Sequence, residues 1–585
     1  MRRLSRTELI NQYKAVLAST EFNLISTDLN GLPEDLINGS VATYEPRFAE
    51  LDLKIIQDVA YKVSVHIERN FSRISNYGGS CLLTGATTAC IQSFLQSASL
   101  RFTHYPLSSE MQTKLLALYK RGASSAEGSA LVLAYLMSSP EFLYHVEDIK
   151  DAQSSDPYDM ARKLSYGLAA SPPDDELKSL AQKNTLLDDA NIQNQADRLL
   201  HTPQGRKKVI QFVRYWLELK EVDQDQFSTA FKEDLNLQTY FSLASTELDK
   251  FIEYIVFTQK GGFEDLLTSR VSFASGQLAT VYGHPGVDGS TMPSGATTNS
   301  ERLGILLRTP FLQYGDDQTH PILRGSVVLR QVLCDTLGEP DPDALSKAPN
   351  VSTIELMETM STRERTALLT SDSACMACHT RINPVGFALE AFDSLGRFRQ
   401  SEKVFHPEND SLLASHPVDT SVTHEGITED SKEDMTRTAA EFVQTLASGT
   451  KAPACFTRQA FRFYHLRLES FENTVDDSCM LAAMHAQLTE GETSRGGSIL
   501  EMIKSSLVPN YKASQSGSKT DEERGRTLYE THCSSCHGSL ASSTKAGADV
   551  VKITTAINNN YGGMSKFKTL LTEAELKLIA EALKP

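Results

Sequence analysis

Two pentapeptides in this 585-residue chain combine side chains that can do chemistry: Cys375-Met376-Ala377-Cys378-His379 and Cys533-Ser534-Ser535-Cys536-His537. Each sets two thiols three residues apart and an imidazole directly after the second. On a helix, positions i, i+3 and i+4 share one face. Thiols so placed can form thioethers with the vinyl groups of a porphyrin while the histidine ligates its iron, and C-x-x-C-H is the attachment signature of a c-type haem. A zinc half-site would want a second Cys or His pair at knuckle spacing, and a dithiol redox motif would want a βαβ setting. The sequence supplies neither. The expected cofactors are therefore two covalently attached c-type haems. Cys375, Cys378 and His379 hold one and Cys533, Cys536 and His537 the other, with His379 and His537 as iron ligands.

Such sites need a scaffold. The chain is too long for one compact core and is expected to hold about three to six domains. A net charge of −17 argues against nucleic acid or an anionic membrane as partner. No apolar run approaches the ~18–20 residues that span a bilayer, so no transmembrane segment is expected. The opening MRRLSRTELINQYKAVLA is interrupted by Asn11, Gln12 and Lys14 and shows no signal peptide. Covalent c-type haem is attached outside the cytoplasmic membrane. The expected location is therefore periplasmic or otherwise extracytoplasmic, with Met1 not the true start of the precursor; a cytoplasmic location is the alternative. The cysteines agree with export. Outside the two motifs stand Cys81, Cys90, Cys334, Cys455 and Cys479. The short separations suggest Cys81–Cys90 and Cys455–Cys479 disulfides, with Cys334 left over, rather than five small buried apolar residues.

Periodicity is mostly helical, and the expected fold is mainly α. It comprises a multidomain helical body with an embedded c-type haem module and a small C-terminal all-α cytochrome domain. The expected segments are helical modules over 1–75, 76–152 (with the Cys81–Cys90 bridge) and 153–292, the haem module over 293–432, and a helical module over 433–510 (with the Cys455–Cys479 bridge). A polar linker over 511–524 and the cytochrome domain over 525–585 complete the chain. The acids of Ser171-Pro172-Pro173-Asp174-Asp175-Glu176 read as a helix start rather than a catalytic cluster. Residues 284–301 and 401–432 read as loops.

In the C-terminal segment a helix leads into Cys533, Tyr561-Gly562-Gly563-Met564 follows, and the helix TEAELKLIAEAL closes the chain. This resembles a class I cytochrome c. The resemblance implies crossed first and last helices and Met564 as the sixth iron ligand, although no proline lies between His537 and Met564 to orient the proximal ring. The string CMACHTRINPVGFALEAFDSLGRFR (375–399) resembles the planctomycete-type multidomain cytochromes, large exported proteins of serial helical domains without a settled activity. Leu164-Ser165-Tyr166 with Pro173-Asp174-Asp175-Glu176-Leu177, and Arg302-Leu303-Gly304 with Pro321-Ile322-Leu323-Arg324-Gly325, extend that resemblance. His320-Pro321 stands where the family usually has Ser-Pro, and the cytochrome unit, often N-terminal, is here C-terminal.

Around the first motif, Pro384 can present a carbonyl to His379, and Arg381, Arg397 and Arg399 can pair with propionates. Glu390 and Asp393 read either as an acid–base pair or as caps and salt bridges. Phe387, Leu389, Phe392 and Phe398 are expected to bury the ring. Candidate sixth ligands are His320, His406, His416, His424, Met435 and His465. The leading functional expectation is dihaem electron transfer between the body haem and the C-terminal haem, with a redox partner protein and any small-molecule or polymer substrate unidentified. The alternative is an oxidase or peroxidase with the first haem as its active site and the second as relay.

Overall fold

The computed structural model describes residues 2–584 except 34–36, 39–40, 43–47, 146–155, 220–223, 285–300, 339–358, 407–408, 430–431, 473–474, 491–496, 509–524, 527–528, 530–532, 534–536, 538–544, 546, 560–563 and 565–572. The loop expected at 284–301, the linker at 511–524 and Cys536 fall almost wholly outside the described residues. The fold is mainly α, and the chain divides into two compact units, Met1–Pro509 and Asn510–Pro585.

The first unit begins with a capping box. The Ser5 side chain accepts from the Glu8 amide, and the Glu8 carboxylate accepts from the Ser5 amide and from Arg2, starting the helix Arg6–Val16. Apolar residues at helical intervals then build a core that runs from Leu4 to Leu143 and takes in Tyr166. The expected disulfide joins Cys81 and Cys90, 5.8 Å apart at Cα. The second differs from expectation: Cys455 pairs with Cys334, not with Cys479, which is an exposed free thiol. The reason is packing. The helix Lys451–His465 lies against the turns Val328–Val332 just before Cys334, bringing the two Cα atoms within 5.3 Å.

Two close helix contacts position the first motif. Helix Pro321–Val327 lies against helix Ser373–Phe387, which carries the motif. A methyl group on Gly325 would strike the Ile382 carbonyl, and one on Gly386 would strike the Pro321 carbonyl, so only glycine allows this crossing. Buried arginines then fix the string that follows the motif. Arg324 donates to the Leu312, Phe392 (2.8 Å) and Asp393 (2.9 Å) carbonyls. Arg302 donates to the Leu307 and Gly396 carbonyls and lies between the Tyr282 and Phe392 rings. Burial lowers the Arg324 pKa to about 10, and the Glu390 carboxylate beside it offsets part of that cost.

The stretch expected as a loop over 401–432 carries strands among its described residues. They form two antiparallel hairpins, Ser401–Phe405 with Leu412–Pro417 and Val422–Glu425 with Glu433–Thr436. Their inward positions include Glu402 and His424, so alternation was masked by polar residues that are buried with partners. Glu402, for example, accepts from the Thr362 amide at the start of helix Thr362–Leu369.

In the second unit, a methyl group on Gly525 would strike the Leu578 carbonyl and crowd Ala582, so Gly525 meets the last helix, Glu573–Ala582, at glycine distance. Tyr529, Ile557, Leu576, Ile579 and Leu583 form its core.

Candidate haem sites

Asp372 caps helix Ser373–Phe387 by accepting from the Ala374 amide. The helix begins just before Cys375, so Cys375, Cys378 and His379 fall on its first turns and on one face. All three are half-buried, and both thiols are free in a chain whose Cys81, Cys90, Cys334 and Cys455 are cross-linked. His379 Nδ1 lies 2.9 Å from Asn383 Oδ1, and Asn383 Nδ2 lies 2.8 Å from Thr370 Oγ1. With Nδ1 engaged, Nε2 is the ring nitrogen left for a metal. Two thiols and one imidazole so disposed fit a covalently bound haem iron.

Sequence reasoning assigned the ring's support to Pro384. The structure gives it to Asn383, because Pro384 lies inside the helix and its carbonyl accepts from the Ala388 amide at 3.1 Å. The missed signal was spacing: Asn383 follows His379 by four residues, on the same face.

The three arginines expected at propionates each have a carboxylate partner. Arg381 pairs with Asp335, which Lys451 also reaches; Arg397 pairs with Asp393 and Arg399 with Glu390. Glu390 and Asp393 therefore read as structural. Burial raises the Glu390 pKa, with Arg399 and Arg324 opposing it. Of the expected aromatic cover, Phe392 is enclosed against Arg302 and the half-buried Phe398, and Phe387 lies beneath Arg363.

The candidate sixth ligands are dispersed. His320 is exposed at the start of helix Pro321–Val327, and Met435 is 67% exposed. His406 is half-buried, its amide donating to the Ser411 carbonyl. His416 Nε2 meets the Thr359 carbonyl at 2.6 Å. His465 is withdrawn into the core, stacked on Phe461 with Nε2 on the Ser506 carbonyl, and burial lowers its pKa to about 3. His424 stands on a strand packed against the motif helix. Its Nε2 meets Thr436 Oγ1 at 3.1 Å, and burial lowers its pKa.

In the second unit the Cys533 amide donates to the Tyr529 carbonyl and the His537 amide to the Cys533 carbonyl, both i to i−4 bonds. Cys533 and Met564 both pack on the apolar cluster around Tyr529. A thiol and a thioether on one apolar core, with an imidazole four residues past the thiol, are residue types that fit a c-type haem.

Comparison with known families agrees with this division. Residues 156–284 match a domain described as a protein of unknown function (DUF1592), and residues 302–402 one described as a protein of unknown function (DUF1588). Residues 520–581 match the cytochrome c oxidase cbb3-type subunit III. No curated protein and no solved structure matches the chain. The pairing of the two unknown-function domains is the pattern of planctomycete-type multihaem cytochromes, and the C-terminal segment is similar to a cytochrome c domain that carries a c-type haem.

Proposed function

We propose that the chain is an extracytoplasmic dihaem c-type cytochrome that transfers electrons between a haem on the body's motif helix and the haem of the C-terminal unit. The observation that carries this is the state of the cysteines. Four are joined in disulfides, as in an oxidising compartment, while Cys375 and Cys378 are free on one helical face beside an imidazole held by its Nδ1. Haem supplies the one-electron chemistry; the protein supplies covalent anchorage, axial ligands and their outer partners. At the second site His537 and Met564 are the axial pair, and a thioether opposite a histidine favours reduced iron. Transfer rather than oxidation is favoured because Glu390 and Asp393 are engaged with arginines and offer no free acid or base. The exported chain should carry two haems by haem-stained denaturing gel and intact mass, and the Cys375→Ala/Cys378→Ala double variant should carry one. A parent chain with a single haem overturns the proposal.

A further inference from the structure

We propose that Asn383 is the positioning residue of the first haem. It fixes the tautomer and orientation of His379 through a one-way hydrogen-bond chain anchored on the preceding helix. The proposal rests on the reading of Cys375, Cys378 and His379 as a haem site.

The chain of donors has a single possible direction. It starts at the Thr366 carbonyl, which can only accept. Thr370 Oγ1 lies 2.8 Å from it and must donate its one proton there. Toward Asn383 the Thr370 oxygen is then an acceptor, so the amide must turn its NH2 to Thr370, at 2.8 Å. That leaves Asn383 Oδ1 facing His379, and an amide oxygen only accepts. His379 must therefore carry its proton on Nδ1, at 2.9 Å, which leaves the Nε2 lone pair for iron. Thr366, Thr370 and Asn383 are all buried, so water competes poorly for these groups. Helix Thr362–Leu369 packs against the motif helix, so the anchor and the ring move together.

The acceptor is a neutral amide, not a carboxylate. A carboxylate would draw the Nδ1 proton more strongly, make the imidazole more basic and favour oxidised iron. Removing the acceptor would do the reverse and release the ring. Asn383→Asp should thus lower the reduction potential of the first haem and Asn383→Leu should raise it. Outer partners of metal-bound histidines are worth about 10–100-fold in affinity or activity. A tenfold change in the reduction equilibrium corresponds to about 59 mV for one electron. Thr370→Val leaves Asn383 without its anchor and should shift the potential in the same direction as Asn383→Leu, by less.

The experiment uses the full chain carrying Cys533→Ser/Cys536→Ser, so that only the first haem is read by potentiometric titration and EPR. Haem staining of each variant separates the two ideas. Unstained protein on this background overturns the two-haem reading and this inference with it. Stained protein with opposite shifts in Asn383→Asp and Asn383→Leu supports the positioning role. Stained protein with unchanged potentials, or with both variants shifted the same way as a merely structural lesion would do, overturns the positioning role and leaves the haem site standing.

Discussion

Removing the Cys334–Cys455 bridge should destabilise the body far more than removing Cys81–Cys90. A disulfide acts mainly by limiting the unfolded chain, and its effect grows with the logarithm of the loop it closes. The bridges span 121 and 9 residues. The loop-entropy relation then gives about 4.9 kcal/mol for the first and about 2.6 kcal/mol for the second at 25 °C. Trp216, the chain's single tryptophan, is well placed to report the difference. Its Nε1 donates to the Gln331 carbonyl at 2.7 Å, and Cys455 Sγ lies 3.3 Å from the same oxygen. Urea titrations read by Trp216 emission would compare the parent with Cys334→Ser/Cys455→Ser and with Cys81→Ser/Cys90→Ser. With a denaturant slope of about 3 kcal/mol/M or more for a body of this size, the midpoints should fall by up to about 1.6 M and about 0.9 M respectively. Reductant should bring the parent down by both amounts. Equal shifts, or a larger loss from the short loop, would refute the reasoning, as would native Cys334 and Cys455 recovered as free thiols on peptide mapping.

Replacing Met564 by Ala should open the C-terminal iron, convert its spectrum from low to high spin and lower its potential. The Trp216 transition should be unchanged, since Met1–Pro509 is a separate compact unit; an unaltered spectrum would reject Met564 as ligand. His465 should make the body acid-sensitive. Burial holds its folded pKa near 3, with Lys163 and Arg467 acting the same way, so the neutral form is favoured in the fold and a proton is taken up on unfolding. Its contribution is complete above the ordinary value of about 6.5 and falls as pH drops toward 3, a loss of about 2 kcal/mol between pH 7 and pH 5. His465→Leu should remove that part of the pH dependence, and urea midpoints at the two pH values would test it.

Local patterns were readable wherever the partner lay close in sequence. The cap at Asp174 and the nine-residue Cys81–Cys90 loop are of this kind. Cys334–Cys455 was hidden because pairing 121 residues apart depends on how the helix Lys451–His465 docks, which no spacing encodes. The hairpins over 401–436 were hidden by Glu402 and His424, polar residues at inward positions that satisfy buried groups rather than fill a core. Arg302 and Arg324 stood in recognisable family strings, yet only the fold shows them inside, holding the backbone carbonyls of the string after the motif.

The pairing of Cys334 with Cys455 has a consequence for how the molecule matures. Cys375 and Cys378 lie inside the loop this bridge closes. In a chain exported as proposed, they are the thiols nearest in sequence to Cys334 and compete to capture it in a wrong bridge. Leaving aside Cys479 and the two thiols of the C-terminal motif, the six at 81, 90, 334, 375, 378 and 455 allow about 15 complete pairings, and four allow about 3. On the proposed dihaem reading, conversion of Cys375 and Cys378 to thioethers would remove them from exchange. Cofactor addition would then act as an editor of the oxidative folding that follows, and a chain denied haem should accumulate as a ladder of mispaired isomers rather than as one clean apo form.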